Sequence, residues 1–291
     1  MKYMRNWLVA GAALAVVVIA VAALAMRGGE HGEDQAALVG EARQGGLTIA
    51  LPQAQRDIRI RAARVPGRPI VLVDPGHGGR DPGAASTSKA FAEKDLTLAM
   101  ALELAALLEQ RGRARVALTR EDDRYLTLDQ RAAIAARIDA GLFISLHMDS
   151  APNPLAHGVT IYSMSDVASS PEALRFATAE NRAGERADAT ADTLPALLGD
   201  LALRGRMKQS AALAERAVRR AAGRIALRPR SHQFASFHVL RRADTPALLV
   251  EAGYISNVDD EAALSTPAGR APLVLVLAQA IEADLASRRL H

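Results

Sequence analysis

Cysteine is absent from all 291 residues. That absence excludes disulfide frameworks, thiolate-held metals, thiol catalysis and lipid attachment through cysteine. Any metal must therefore be held by histidine and carboxylate. Aromatic residues make up 3% of the chain, too few for the stacking platforms of single-stranded nucleic-acid binders. Nucleic acid is thus not the expected partner, despite a pI near 9.7. Lysine is scarce, confined to Lys2, Lys89, Lys94 and Lys208, so the basic side is nearly all arginine and the net charge is only +4. What is abundant is apolar residue, at 49%, which excludes full disorder and supplies a sizeable core.

Part of that apolar content is one uncharged run, Leu8–Met26, preceded by Lys2 and Arg5 and closed by Arg27. Its length suits a bilayer core better than a secretory signal, although Ala23-Leu24-Ala25 also offers a cleavage site. Residues 1–27 are expected to be a membrane anchor or signal peptide, with membrane contact through residues 8–26. The positive flank stays inside, which places the rest in the periplasm or another extracytoplasmic space. Residues 28–66 read as a Gly-rich tether with one short strand at LTIALPQ.

From residue 67 to 291 strands and helices alternate. Apolar runs predict strands at Ile70–Val73, Arg115–Thr119, Leu142–Leu146, Phe237–Leu240 and Ala247–Val250, with a half-buried strand at Gly158–Ser163. Helical spacing predicts Glu93–Arg111, stopped by Gly112, and Leu128–Ala140, stopped by Gly141. Further helices are expected near Asp259–Leu264 and Leu273–Arg288, and a helical insertion over about residues 166–230. The fold expected is α/β: one mixed, mostly parallel twisted sheet flanked by helices.

Three apolar strands run straight into metal-competent residues: IVLVDPGHGG at His77, LFISLHMDS at His147 and PALLVEAGYISN at Glu251. Ligand sites in open α/β sheets gather beyond the carboxyl ends of strands, so the three can converge. Glu93, in the first turn of the following helix, can reach back toward the Gly-rich loop; alone it reads as a carboxylate at a helix N-terminus. Together these residues supply two imidazoles and a carboxylate, the ligand set of a catalytic zinc, plus a second carboxylate to act as base. His31, His157, His232, His238 and His291 stand outside these motifs. Asp81 before Pro82 reads as a turn residue, and Asp74 as a turn residue or an orienting partner for an imidazole. Arg120 and Arg131 read as structural before substrate-binding. Gly76, Gly78 and Gly79 let the backbone pass close to the loop. No HExxH occurs, which excludes a thermolysin-like site.

The segments VLVDPGHGGRDPGA, EKDLTL, LTR followed by LTLDQR, FISLHMDS and PALLVEAGYISN occur in order between Pro69 and Leu285. In these the chain resembles the zinc-dependent N-acetylmuramoyl-L-alanine amidases of the type 3 family. The resemblance implies zinc ligands His77, Glu93 and His147, with Glu251 as the catalytic carboxylate. It also implies cleavage of the lactyl–L-alanine amide of peptidoglycan. His147-Met148-Asp149 departs slightly from the family pattern. Two other readings fit similar chemistry: a non-catalytic wall-binding or division scaffold on the same fold, and a zinc carboxypeptidase trimming stem peptides.

The segment Glu180–Gly205 mixes a charged half with an amphipathic one carrying Leu194, Leu197, Leu198 and Leu201. With LLGDLALRGRMKQS it resembles the regulatory region of the cell-division amidases, in which a helix covers the site until an activator binds. The resemblance implies an acidic side chain in the open metal position: Glu180 first, then Glu185 and Asp166. It also implies a LytM-like periplasmic activator.

Overall fold

The computed structural model describes residues 58–184 and 196–288. The anchor at 8–26, the LTIALPQ strand, His31, His291 and the side chains of Glu185, Leu194, Leu197 and Leu198 lie outside the described residues.

Short apolar runs build the sheet. Its strands are β1 (Ile70–Pro75), β2 (Arg115–Leu118), β3 (Ala140–Asp149), β4 (Val159–Met164), β5 (Leu227–Ala235) and β6 (Ala247–Tyr254). They lie in the order β2-β1-β3-β6-β4-β5. The first four in that order are parallel; β4 runs antiparallel to β6, and β5 parallel to β4. The central strands are apolar without alternation because helices cover both faces. The same covering explains β4, which is buried at all six residues rather than on one face only.

The helices are α1 (Glu93–Arg111), α2 (Leu128–Arg137), α3 (Pro171–Gly184), α4 (Ala196–Ala221), α5 (His238–Arg242), α6 (Val258–Leu264) and α7 (Pro267–Ser287). In α1, Leu96, Met100, Leu104 and Leu108 recur every four residues and are all buried. Burying each such side chain contributes about 1.5–3 kcal/mol. The helix ends where expected: Gly112 adopts φ +65°, and its N–H closes the last turn onto Leu108 O. Thr127 and Gln130 cap the start of α2 reciprocally. That helix stops at Arg137, short of Ala140, because Ala140 and Gly141 already belong to β3. Thr266 caps α7 and Pro267 opens it, so the helix begins six residues before Leu273.

One expected strand is a helix. Phe237–Leu240 enters the single-turn helix α5, and the fifth strand is Leu227–Ala235 instead. A four-residue apolar run fits either period, and Phe237, Leu240 and Ala243 bury themselves at helical spacing. Between β4 and β5 stand α3 and α4, in the stretch read as a helical insertion. The far end of α4 is part of the core, burying Leu213, Ala214, Ala217 and Ala221.

Strand alternation decides which residues meet. Val71, Val73, Leu142, Ile144 and Leu146 pack with α1, α4 and α7. Ile70, Leu72, Phe143, Tyr162 and Leu249 pack on the opposite face with α2, α3 and α5. Two residues further along β1, β3 and β6, that second face carries Asp74, Ser145, His147 and Glu251.

Candidate active site

The loop after β1 is held in a conformation that a histidine rarely adopts. His77 has φ +58°, in the left-handed region, where a bulky side chain is strained. Two buried arginines fix it. Arg131 donates to Pro75 O at 2.7 Å and His77 O at 2.6 Å, and Arg120 donates to Pro75 O at 3.1 Å and Gly76 O at 2.8 Å. Arg131 also pairs with Asp74 at 2.6 Å. Burial works to raise the Asp74 carboxyl, but Arg131 and hydrogen bonds from Thr119 and Ser145 outweigh it and hold it below the usual carboxylate range. Both arginines are thus structural, as expected. Asp74 anchors Arg131 and does not orient an imidazole.

That task falls to Asp81, whose Oδ2 lies 3.0 Å from His77 Nδ1 while Oδ1 accepts from Gly83 N–H. The turn reading of Asp81 was therefore incomplete. A carboxylate four residues from a metal-competent histidine was the available signal, because such imidazoles commonly donate their second nitrogen to one. Two glycines make room. A Cβ on Gly76 would stand 2.4–2.8 Å from the His147 ring, and one on Gly83 2.6 Å from Glu93 Oε2.

Glu93 closes the cluster from the first turn of α1. Its Oε1 lies 3.0 Å from His77 Nε2 and 3.1 Å from His147 Nδ1. Backbone N–H groups of Met148 and Ala84 donate to its two oxygens. From α3, Glu180 Oε2 approaches the same nitrogens, at 3.3 Å from His147 Nδ1 and 3.8 Å from His77 Nε2. His77, His147 and Glu180 each offer a ligand atom within 4.8 Å of the others, a metal-competent group. Asp166 is not part of it: its carboxylate pairs with Arg241 at the surface.

Two observations fit this donor set to a zinc ion. His77 Nε2 is buried without a hydrogen-bond partner; Glu93 Oε1 approaches it outside hydrogen-bond direction. Moreover, the cluster demands positive charge. Burial lowers the His77 imidazolium, but Glu93, Asp81 and Glu180 overcome it and push His77 up to about 11. Burial likewise raises Glu93, yet the two imidazoles bring it well below the ordinary range. Tetrahedral ligands about 2.0–2.2 Å from zinc stand roughly 3.3–3.6 Å apart, and the separations here, 3.0 and 3.1 Å from Glu93 and 3.3 and 3.8 Å from Glu180, bracket that range.

Glu251 sits one strand over, level with His147 in the β3–β6 register. It is 0% exposed and neither carboxylate oxygen has a hydrogen-bond partner. Burial, reinforced by the carboxylates of Asp149, Glu93 and Glu180, pushes its carboxyl well above the usual range. Asp149 is itself pushed up to about 6, chiefly by burial, with the neighbouring Tyr254 hydroxyl opposing the rise. An unpartnered buried carboxylate costs stability, which makes Glu251 a candidate functional residue. Among the other histidines, His232 hydrogen-bonds Ser163 Oγ on β4, away from the cluster.

A family model described as N-acetylmuramoyl-L-alanine amidase matches residues 71–283. The chain belongs to the N-acetylmuramoyl-L-alanine amidase family. Amidase AmiA of Escherichia coli K12 is 32% identical over 226 residues, covering 76% of this chain and 78% of its own length. Amidase AmiC of Escherichia coli O6:H1 is 32% identical over 247 residues, covering 79% of this chain. The chain spans between 51% and 56% of the length of such longer relatives. A solved N-acetylmuramoyl-L-alanine amidase from Clostridium difficile 630 superposes with a TM-score of 0.54 at 25% identity, covering 76% of this chain and 98% of its own. The α/β architecture and the amide-hydrolase reading therefore stand.

Proposed function

We propose that this amidase domain cleaves the bond between N-acetylmuramic acid and L-alanine in peptidoglycan, with zinc held by His77, Glu93 and His147. The observation that carries this reading is the placement of Glu93 Oε1 within 3.1 Å of both imidazole nitrogens, next to an unpartnered Glu251. Glu93 is 3% exposed and bound by two backbone N–H groups, which suits a permanent ligand. Glu180 approaches from the open side.

Zinc bound here supplies Lewis-acid polarisation of the scissile carbonyl and lowers the pKa of the attacking water. The remaining steps belong to the chain. Asp81 fixes the His77 ring through Nδ1. Glu251, with no competing hydrogen bond, takes the water proton onto a carboxylate oxygen and returns it to the departing alanine nitrogen. Its burial keeps competing hydrogen-bond donors away from both oxygens. A scaffold protein has no use for a carboxylate held at such a cost.

Glu180 occupies the approach to the imidazoles, which supports autoinhibition by α3. Leu201, near the start of α4, is 63% exposed and suits the docking of a LytM-like activator during cell separation. Residues 8–26 would hold the domain at a membrane, facing the wall from the extracytoplasmic side.

The test is digestion of purified sacculi by the full chain carrying Glu180→Ala, with and without chelator, followed by mass analysis. Intact stem peptides and peptide-free glycan are expected; release of terminal alanine alone would indicate a carboxypeptidase. Glu251→Gln should keep its metal and lose about 10²–10⁴ in turnover. His77→Ala should lose the metal. Undiminished digestion by the first, or full metal content in the second, overturns the assignment.

A further inference from the structure

The helix that carries Glu180 into the imidazole pair carries a second carboxylate into a second polar site. Glu172 lies eight residues earlier on α3, about 12 Å along the helix axis. Its Oε1 accepts from Arg228 Nη2 at 2.8 Å and stands 3.3 Å from the Tyr254 hydroxyl. The Arg228 guanidinium lies over the Tyr254 ring, 5.1 Å from its centre. A cation and a phenol thus converge on one carboxylate oxygen.

The sheet puts this pair on the catalytic edge. Glu251 is level with His147 on one side and Thr160 on the other, and Val159 is level with Leu227. Because β4 runs against β6, the beginning of β5 lies at the end of the sheet where β3 and β6 finish. Arg228 is therefore three strands from His147, about 14 Å at ordinary strand spacing. The separation between the two carboxylates of α3 matches the separation between the two sites that receive them.

We propose that Arg228 and Tyr254 form a carboxylate subsite for the stem peptide, filled by Glu172 while α3 is in place. The inference rests on the amidase reading and on withdrawal of α3 from the site. An extended peptide advances about 3.3–3.6 Å per residue, so the carboxylate recognised lies three to four residues from the scissile amide. Glu180 and Glu172 then imitate the two ends of an acidic peptide. Arg228 suits this role: its planar fork binds carboxylate and stacks on an aromatic face.

The experiment uses the full chain with Glu180→Ala and two muramoyl peptides. These differ only in a free carboxylate or a carboxamide three to four residues from the muramoyl amide. The parent should favour the free carboxylate by about tenfold in kcat/KM. Arg228→Gln should abolish that preference through KM, with kcat and the carboxamide substrate unaffected, and Arg228→Lys should retain part of it. An unchanged preference in Arg228→Gln, or equal losses on both substrates, overturns the proposal; equal losses would mark a structural ion pair. Calorimetric binding of the same two peptides reads the preference independently of turnover. If no bond is cleaved, the amidase reading fails, while a carboxylate preference lost in Arg228→Gln still supports the subsite and its absence overturns it.

Discussion

His77 combines a left-handed backbone, a carboxylate on one ring nitrogen and an unsatisfied second nitrogen. Each feature has a separate support: Arg131 and Arg120 hold the loop, and Asp81 holds the ring. Replacing Asp81 with Asn should weaken metal affinity by about 10–100-fold, as loss of a partner to a ligating imidazole does. Competition against a graded chelator measures this, and far-UV dichroism should show the fold intact. Metal affinity equal to the parent would mean that Gly76 and the arginines alone fix the ring. His77, His147 and Glu251 were visible in the sequence because chemistry-bearing residues after apolar strands are uncommon, whereas Glu93, in the first turn of a helix, took its expected role from the family resemblance. Asp81 was visible only as a turn residue. Its second role depends on a loop path set by two arginines 39 and 50 positions away in the chain, Arg120 and Arg131.

At the scale of the element, α3 carries Glu180 to the imidazole pair and is clamped beside it. Asn181, next to Glu180, donates through Nδ2 to Ser236 O at 2.9 Å and accepts from His238 N–H at 2.8 Å. It fastens the end of α3 to the turn between β5 and α5. Phe176 adds a stacked contact with Tyr162, with ring centres 5.4 Å apart. If α3 restrains the enzyme, Asn181→Ala should raise basal turnover several-fold, since losing a clamp of about 1–1.5 kcal/mol shifts the covered population by about that factor. Turnover of sacculi without any activator is the measurement, and an unchanged rate would release Asn181 from that role. Long elements such as α1 were legible from apolar spacing and the Gly112 stop. Phe237–Leu240 was not, because four apolar residues satisfy both periods and only their neighbours choose between them.

For the whole molecule, the site joins elements from the entire described chain: the β1 loop, α1, β3, β6 and α3. Metal should therefore stabilise the fold as well as the chemistry. At about 100 times its Kd a ligand adds about 2.7 kcal/mol, which for a domain of this size raises Tm by roughly 5–10 °C. Differential scanning calorimetry with and without chelator reads this, and His77→Ala should lose the response. An equal shift in that variant would place the metal elsewhere. The missing cysteine, the order of the strand-end motifs and the alternation of strands with helices were enough to determine an α/β amide hydrolase whose candidate site is built on imidazole and carboxylate. Those properties are local: they depend on residue type, spacing and the C-terminal ends of strands. Which carboxylate faces which nitrogen, which acid on the later helices reaches the imidazoles and which arginine stands three strands away are decided by contacts between distant segments. Such contacts exist only once the two faces of the sheet have been buried. That is why Glu180 joined the cluster while Asp166 paired with Arg241 at the surface.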